Sequence, residues 1–163
     1  MSLPSFDPAD YPAQLAEKLA RFKHDFASFE LPEPTVCESA TRAYRLRAEF
    51  RMWHDGARID YAMFDPADPK RAIVIDDFPP AAAPIAAAMP RLRERLMASE
   101  ALKRKLFQVD FLATLSGELM ITLIYHRALD AAWEADAALL AADLGVQLIG
   151  RSRKQKIVLG RDW

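Results

Sequence analysis

The sequence has little of the residue types from which small metal and thiol centres are built. Its 163 residues include one cysteine, Cys37, so the chain can form neither a disulfide nor a cysteine-ligated iron–sulfur cluster. The three histidines, at positions 24, 54 and 126, lack the spacing of metal ligands. Cys37 lies in a proline-containing connector with no apparent helix terminus to activate the thiol. We therefore predict no metal site and interpret Cys37 as a bystander.

Glycine is also scarce, and its placement excludes several classes of enzyme. The five glycines are scattered along the chain, at positions 56, 117, 145, 150 and 160. No glycine-rich turn leads from a predicted strand into a helix, so the sequence has no dinucleotide or S-adenosylmethionine fingerprint. The G-x-S-x-G nucleophile motif is absent as well. The sequence therefore carries none of the fingerprints of these enzyme classes.

Long apolar runs are missing. The longest of them, such as Leu119–Tyr125, have the length of a strand and are too short to span a bilayer. The first residues are acidic and contain no apolar run, so no signal peptide is recognisable. The sequence therefore predicts a cytoplasmic protein without a membrane partner.

The net charge of −1 is unevenly distributed. Residues 1–40 carry three basic and seven acidic side chains, whereas residues 41–163 carry nineteen basic and sixteen acidic ones. A nucleic-acid surface is therefore expected after residue 40.

Hydrophobic periodicity predicts an α+β fold with a mostly antiparallel sheet, flanking helices and an N-terminal helix. Residues 1–40 are interpreted as a tail, a helix that Asp10 can cap and a connector, and residues 41–163 as one α+β domain. Alternation from Tyr44 to Trp53 predicts a strand with its even positions in the core, and Asp55-Gly56 predicts a hairpin turn. Pro90 is expected to kink or break a helix over 81–97. Further strands are predicted near 58–64, 72–75, 107–115, 119–126, 146–150 and 156–159, and further helices near 99–106 and 130–145.

Basic clusters are the features that point to chemistry. Arg45, Arg47 and Arg51 lie on one face of the first strand, where side chains two residues apart are about 7 Å apart, which is close to the phosphate spacing of a nucleic-acid strand. The alternative is a solvated face paired to acids such as Glu49.

A second cluster, Lys103, Arg104 and Lys105, precedes Phe107 and suits backbone contact with base stacking. The alternative is that Phe107 starts a strand and belongs to the core, in register with Val109. A third cluster, Arg151, Arg153, Lys154 and Lys156, fits either RNA contact or a solubilising loop. His126 ends a strand, where a lone histidine is usually a satisfied edge residue.

Five stretches together resemble the tRNA (uracil-5-)-methyltransferase family, which makes ribothymidine in the T-loop. They occur in the family's order and spacing and cover most of the chain. The stretches are DYPAQLAEKL (10–19), YRLRAEFRMWHDG (44–56), KLFQVDFLATLS (105–116), LIYHRALDAAW (123–133) and LIGRSRKQKI (148–157). Relatives that act on ribosomal RNA carry an iron–sulfur cysteine cluster, so its absence favours the tRNA branch.

The resemblance implies that a Rossmann-like domain binding S-adenosylmethionine follows this region. In that domain a cysteine attacks C6 of the uracil, C5 receives the methyl group and a glutamate removes the C5 proton. Cys37 does not match that nucleophile, and we interpret the end at Gly160–Trp163 as a cut. The chain alone is therefore expected to contain no catalytic or cofactor-binding residue and to be inactive.

The resemblance also assigns RNA-binding residues. Arg51 matches the arginine of the AEFR motif that contacts tRNA, while Phe107 and His126 match side chains that hold the rearranged T-loop. With these three we predict Arg45, Arg47, Lys103 and Arg104 as RNA contacts, with the tRNA T-arm as partner and no DNA. The alternatives are a free-standing RNA-binding or tRNA-folding module and a structural domain without an RNA role.

Overall fold

The computed structural model describes residues 7–65 and 67–160. Most of the predicted N-terminal tail and the last three residues of the chain lie outside these ranges. None of the helices within them is long and apolar enough to cross a bilayer.

Seven strands form one sheet in the spatial order β3-β2-β1-β4-β5-β6-β7. All neighbours are antiparallel except β5 and β6, which are parallel and are joined through helix α4. This arrangement confirms the predicted α+β class. The strands are β1 (Arg47–Asp55), β2 (Arg58–Asp65), β3 (Asp68–Ile75), β4 (Leu106–Ala113), β5 (Leu119–Tyr125), β6 (Gln147–Ser152) and β7 (Gln155–Leu159). The helices are α1 (Tyr11–Asp25), α2 (Ala83–Ala98), α3 (Glu100–Lys103) and α4 (Ala131–Leu144).

Helices α2, α3 and α4 cover one face of the sheet, and the core lies between them. Alternate residues of β1, Ala48, Phe50 and Met52, are buried there as their periodicity predicts. Gly150 of β6 lets the indole of Trp133 from α4 approach the sheet, since a Cβ at this position would lie 2.1 Å from the Cη2 atom of the ring. The opposite face, which carries Arg47, Glu49 and Arg151, stays open.

Two predictions about the first strand are corrected. The strand begins at Arg47 rather than Tyr44, because Ala43 has a left-handed φ of 55° and its N–H bonds to Pro79. Tyr44 is 41% exposed and does not join the core. Arg45 lies outside the strand and forms a single parallel bridge with Ala81. Of the three arginines predicted on this strand, only Arg47 and Arg51 belong to it.

The break into two helices that Pro90 could cause does not occur, because α2 runs unbroken through it. A proline removes the hydrogen bond to the carbonyl four residues earlier, here that of Ala86. Both residues are exposed, so water can satisfy that carbonyl.

The N-terminal helix forms where the apolar stripe of Leu15, Leu19, Phe22 and Phe26 predicts it, but it buries none of its side chains. Asp10 occupies the N-cap position without a side-chain cap, and Asp7 instead caps the preceding 3-10 turn. Helix α1 and the connector that follows it are called the N-terminal arm below. The two parts of this arm are joined by a hydrogen bond, in which the N–H of Ser39 donates to the hydroxyl of Tyr11 over 2.8 Å.

Candidate nucleic-acid interface

A β-bulge at the start of β4 turns Phe107 out of the core. Leu106 pairs with Tyr125 and Gln108 pairs with Ile124, so Phe107 is an extra residue without a partner in the register. Leu106 is 1% exposed and takes the core position that simple alternation would give to Phe107. Phe107 is half-buried and lies outside the buried core cluster. The sequence alternative in which Phe107 is a core residue is therefore wrong.

Phe107 lies between two other predicted site residues. The Cζ atom of Arg51 lies 3.5 Å from the centre of the phenyl ring. The imidazole of His126 stacks on the same ring with 4.0 Å between centroids and 28° between planes. Two planar groups this close to one ring centre must cover its opposite faces. The three side chains, called the triple stack below, bring residues from β1, β4 and the end of β5 into one layered arrangement.

The segment that carries Phe107 is held by bonds from both neighbouring strands. Lys105 has a left-handed φ of 54°, a conformation that a residue with a side chain keeps only when its surroundings impose it. The N–H of His126 donates to the carbonyl of Lys105 over 3.1 Å. His54 Nε2 lies 2.7 Å from the carbonyl oxygen of Leu106, and it donates because a carbonyl can only accept. The position of Phe107 is thus fixed by contacts distant in sequence.

Arg127 holds the residues that come before Phe107 in the chain. Its guanidinium donates to the carbonyl of Arg104 over 3.1 Å and to the carbonyl of Ala101. The hydroxyl of Tyr125 donates to the carbonyl of Leu102 over 2.8 Å, and burial raises the pKa of this tyrosine well above its usual value. Sequence reasoning missed His54, Tyr125 and Arg127 as supports, since their hydrogen bonds are to residues distant in sequence.

A shallow cavity of about 400 Å³ borders the triple stack. It is lined by Met52, His54, Lys105, Leu106, Phe107 and His126. Of these residues, His126 and Lys105 are exposed, so a planar group and a cationic group face solvent together.

The other predicted RNA contacts do not join the triple stack. Arg47 forms an ion pair with Glu49, and the guanidinium carbon of Arg45 lies 5.9 Å from the Phe78 ring. Lys103 Nζ lies 3.0 Å from a Glu100 carboxylate oxygen, and its side chain is only 17% exposed. Arg104 lies 3.8 Å from the carboxylate of Asp130.

Arg51 differs from these basic residues in its surroundings. Within residues 7–65 and 67–160 no carboxylate lies within ion-pair distance of its guanidinium. Its charge is therefore available to an external anion while its plane covers Phe107.

A polar pair lies beside the triple stack on the open face. Gln108 Nε2 donates to a carboxylate oxygen of Asp110 over 2.8 Å. Burial raises the pKa of Asp110, and the charge of Glu49, its cross-strand partner, raises it further. No group of three or more His, Cys, Asp or Glu side chains in the described residues is arranged to hold a metal ion.

Comparisons with known proteins cover nearly the whole chain. The family model described as tRNA (Uracil-5-)-methyltransferase matches residues 10–163. The chain is 74% identical over 163 residues to a tRNA/tmRNA (uracil-C(5))-methyltransferase of Azoarcus sp. (strain BH72), covering 100% of this chain and 45% of that protein. A protein of the same name from Dechloromonas aromatica (strain RCB) is 61% identical over the same share of each chain.

The fold is also found in a solved structure. It is the crystal structure of Pyrococcus abyssi tRNA (uracil-54, C5)-methyltransferase in complex with S-adenosyl-L-homocysteine, with a TM-score of 0.58 and 16% sequence identity. The match covers 92% of this chain and 37% of that chain. At this identity the likeness supports the fold alone.

The chain thus spans about 45% of the length of the curated relatives that it matches. The family match extends over nearly all of its residues and confirms the resemblance seen in the five sequence stretches. The chain belongs to the tRNA (Uracil-5-)-methyltransferase family.

Proposed function

We propose that this chain is the tRNA-binding portion of a methyltransferase that modifies C5 of the T-loop uridine. The observation that carries the proposal is the triple stack of Arg51, Phe107 and His126 on the open face of the sheet. Sequence-specific RNA recognition targets unstacked loop bases, which stack on aromatic, histidine and guanidinium planes. The triple stack offers all three kinds of plane in one place.

In the triple stack the ring of Phe107 is already covered by protein side chains, and this determines where a base can bind. Both faces of Phe107 are covered, so a base cannot lie directly on it without displacing a neighbour. His126 is exposed and can accept a base on its outer face. We infer that a loop base extends the stack there, while Arg51 reaches a phosphate with the edge of its guanidinium.

Such a surface suits an enzyme that takes its target base out of a stack. A base that reacts at a ring carbon must leave its neighbours, and this costs a few kcal/mol of unstacking. Protein planes that occupy the opened loop would offset part of that cost. The proposed role of this chain is therefore to hold the loop open for a catalytic domain.

S-adenosylmethionine does not fit the described residues. The two connections that lead from a strand into a helix, residues 76–82 and 126–130, contain no glycine for a tight cofactor turn. Gly150 serves the packing of Trp133, and Gly145 caps α4 with a left-handed φ of 65°. We propose that the cofactor and the methyl-transfer step belong to the part of the longer relatives that this chain does not match.

The test is binding of the chain to a T-arm hairpin RNA, followed by fluorescence anisotropy. Phe107→Ala removes the ring that supports the imidazole of His126, and with it the base stack on that imidazole, which is worth about 1–3 kcal/mol. We therefore expect this variant to weaken binding roughly 5- to 150-fold. Phe29→Ala, which removes a phenyl ring 64% exposed in the N-terminal arm, serves as the control. Circular dichroism must first show that both variants keep the wild-type fold.

Equal affinities of the Phe107→Ala and Phe29→Ala variants would exclude the triple stack as the RNA site. Equal affinity of the wild-type chain for a hairpin with a scrambled loop would exclude specific recognition of the T-loop.

A further inference from the structure

A row of side chains crosses the open face from the triple stack to the far edge of the sheet. The strand register pairs Arg51 with Gln108, Gln108 with Ile124, Ile124 with Arg151, and Arg151 with Lys156. Neighbouring strands lie about 4.8 Å apart, so Arg151 is roughly 14 Å and Lys156 roughly 19 Å from Arg51. The row therefore connects the triple stack to a second basic site at a defined distance.

This second site is the turn between β6 and β7, and is called the cationic hairpin below. It consists of Arg151, Arg153, Lys154 and Lys156, which are all exposed. None of them belongs to an ion pair in the described part of the chain. Two acids lie on the same face as Arg151, in the neighbouring row of paired residues. They are Asp110 and its cross-strand partner Glu49, which is farther away.

The chemistry of the cationic hairpin differs from that of the triple stack. Residues 147–160 contain no aromatic side chain, so the hairpin itself supplies no ring for a base to stack on. Sites for single-stranded nucleic acid combine cations with aromatic platforms, whereas duplex RNA is bound through its phosphates and 2′-hydroxyls. Cations without aromatic rings therefore fit the backbone of a duplex.

We propose that the cationic hairpin binds the phosphate backbone of the double-stranded stem adjoining the loop that the triple stack holds. The proposal rests on the proposed function and extends it, since it assigns a second, structurally separate contact to the same RNA. One face of the sheet then contacts a hairpin RNA at two points. The planar side chains of the triple stack contact the unpaired loop, and the cations of the cationic hairpin contact the paired stem.

The test compares two hairpin RNAs with the same loop, one with a full stem and one with the stem truncated next to the loop. The variant is Arg153→Gln/Lys154→Asn, because Lys154 has a left-handed φ of 62° and asparagine tolerates that conformation. Removal of two phosphate contacts should lower the slope of log affinity against log salt by roughly 1.5 on the full stem. On the truncated stem the variant should bind like the wild-type chain.

The matched control is Lys18→Gln/Arg21→Gln, which removes two exposed cations from α1 and should leave both slopes unchanged. If the Arg153→Gln/Lys154→Asn variant had the wild-type salt slope on the full stem while Phe107→Ala still weakened binding, the proposed stem contact alone would be overturned. An equal loss on both RNAs would overturn the assignment to the stem. Absence of RNA binding by the wild-type chain would overturn the proposed function and this proposal together.

Discussion

The phenyl ring of Phe107 stacks on the imidazole of His126, with 4.0 Å between their centroids. The contact exists because the bulge in β4 adds one residue opposite the end of β5, which rotates Phe107 away from the helices. Without the bulge, Phe107 and Leu106 would exchange faces, and the triple stack could not form.

His126 should act through its ring plane rather than its charge. We expect His126→Ala to weaken binding of a T-arm hairpin by about 1–3 kcal/mol with little change in salt dependence, because a stacking surface is lost. His126→Phe should keep most of the affinity, since it preserves a plane over Phe107. Anisotropy titrations at two salt concentrations measure both quantities.

His24→Ala is the matched control, because His24 is exposed on α1, outside the sheet. An affinity of His126→Phe as low as that of His126→Ala would argue against stacking and for a hydrogen bond from the imidazole.

Arg51 should contribute a phosphate contact in addition to its stacking plane. We expect Arg51→Gln to lower the salt slope by about 0.7–0.9, the value for one phosphate contact. Arg51→Lys should keep the slope but bind more weakly, because an ammonium group lacks the planar surface that covers Phe107.

Arg71→Gln, at an exposed position of the edge strand β3, controls for the general loss of one positive charge. The assignment of a phosphate to Arg51 would fail if both glutamine variants reduced the slope equally.

Local sequence signals predicted the elements that local chemistry determines. Alternation along β1 identified the buried positions Ala48, Phe50 and Met52. The side chain of Asp130 caps α4 by accepting from the N–H of Trp133 over 2.9 Å, and Gly145 ends that helix in the left-handed conformation. Each of these features depends on residues within a few positions of one another.

The features that sequence reasoning missed depend on contacts between distant strands. The orientation of Phe107 follows from the pairing of Leu106 with Tyr125, nineteen positions away, which no local pattern contains. The strand predicted at 72–75 starts at Asp68, because its first residues pair at a polar sheet edge and carry no hydrophobic alternation. Arg127 gave no signal, although its side chain is only 8% exposed and holds the segment before β4.

Asp110 should make stability depend on pH. Its pKa is raised in the folded chain, mainly by burial, so folding favours the protonated acid. The resulting stabilisation is complete below the unfolded-state pKa of about 3.9 and is lost as the pH rises through the folded-state value. Asp110→Asn should therefore raise the melting temperature at pH ~7, and the gain should disappear at pH ~3.

Asp77→Asn, at an exposed position after β3, gives the comparison for removal of a carboxylate that is not buried. Thermal unfolding followed by circular dichroism at both pH values distinguishes the two variants. A gain that Asp110→Asn retained unchanged at the lower pH would contradict ionisation as its cause.

Gly150 and Trp133 should be coupled in stability, because the indole occupies the space where a side chain at position 150 would lie. A Cβ there would come within 2.1 Å of Cη2 and 2.5 Å of Cζ2, so Gly150→Ala must displace the ring or the strand. We expect a loss of about 1–3 kcal/mol in the free energy of unfolding, as for other overpacked cores. Trp133→Phe removes the benzo portion of the indole that makes these contacts.

The double variant Gly150→Ala/Trp133→Phe should therefore be more stable than the sum of the two single losses predicts. Urea unfolding of the four proteins gives this coupling energy as a double-mutant cycle. A coupling energy of zero would contradict the close packing of the Trp133 ring against strand β6 at Gly150.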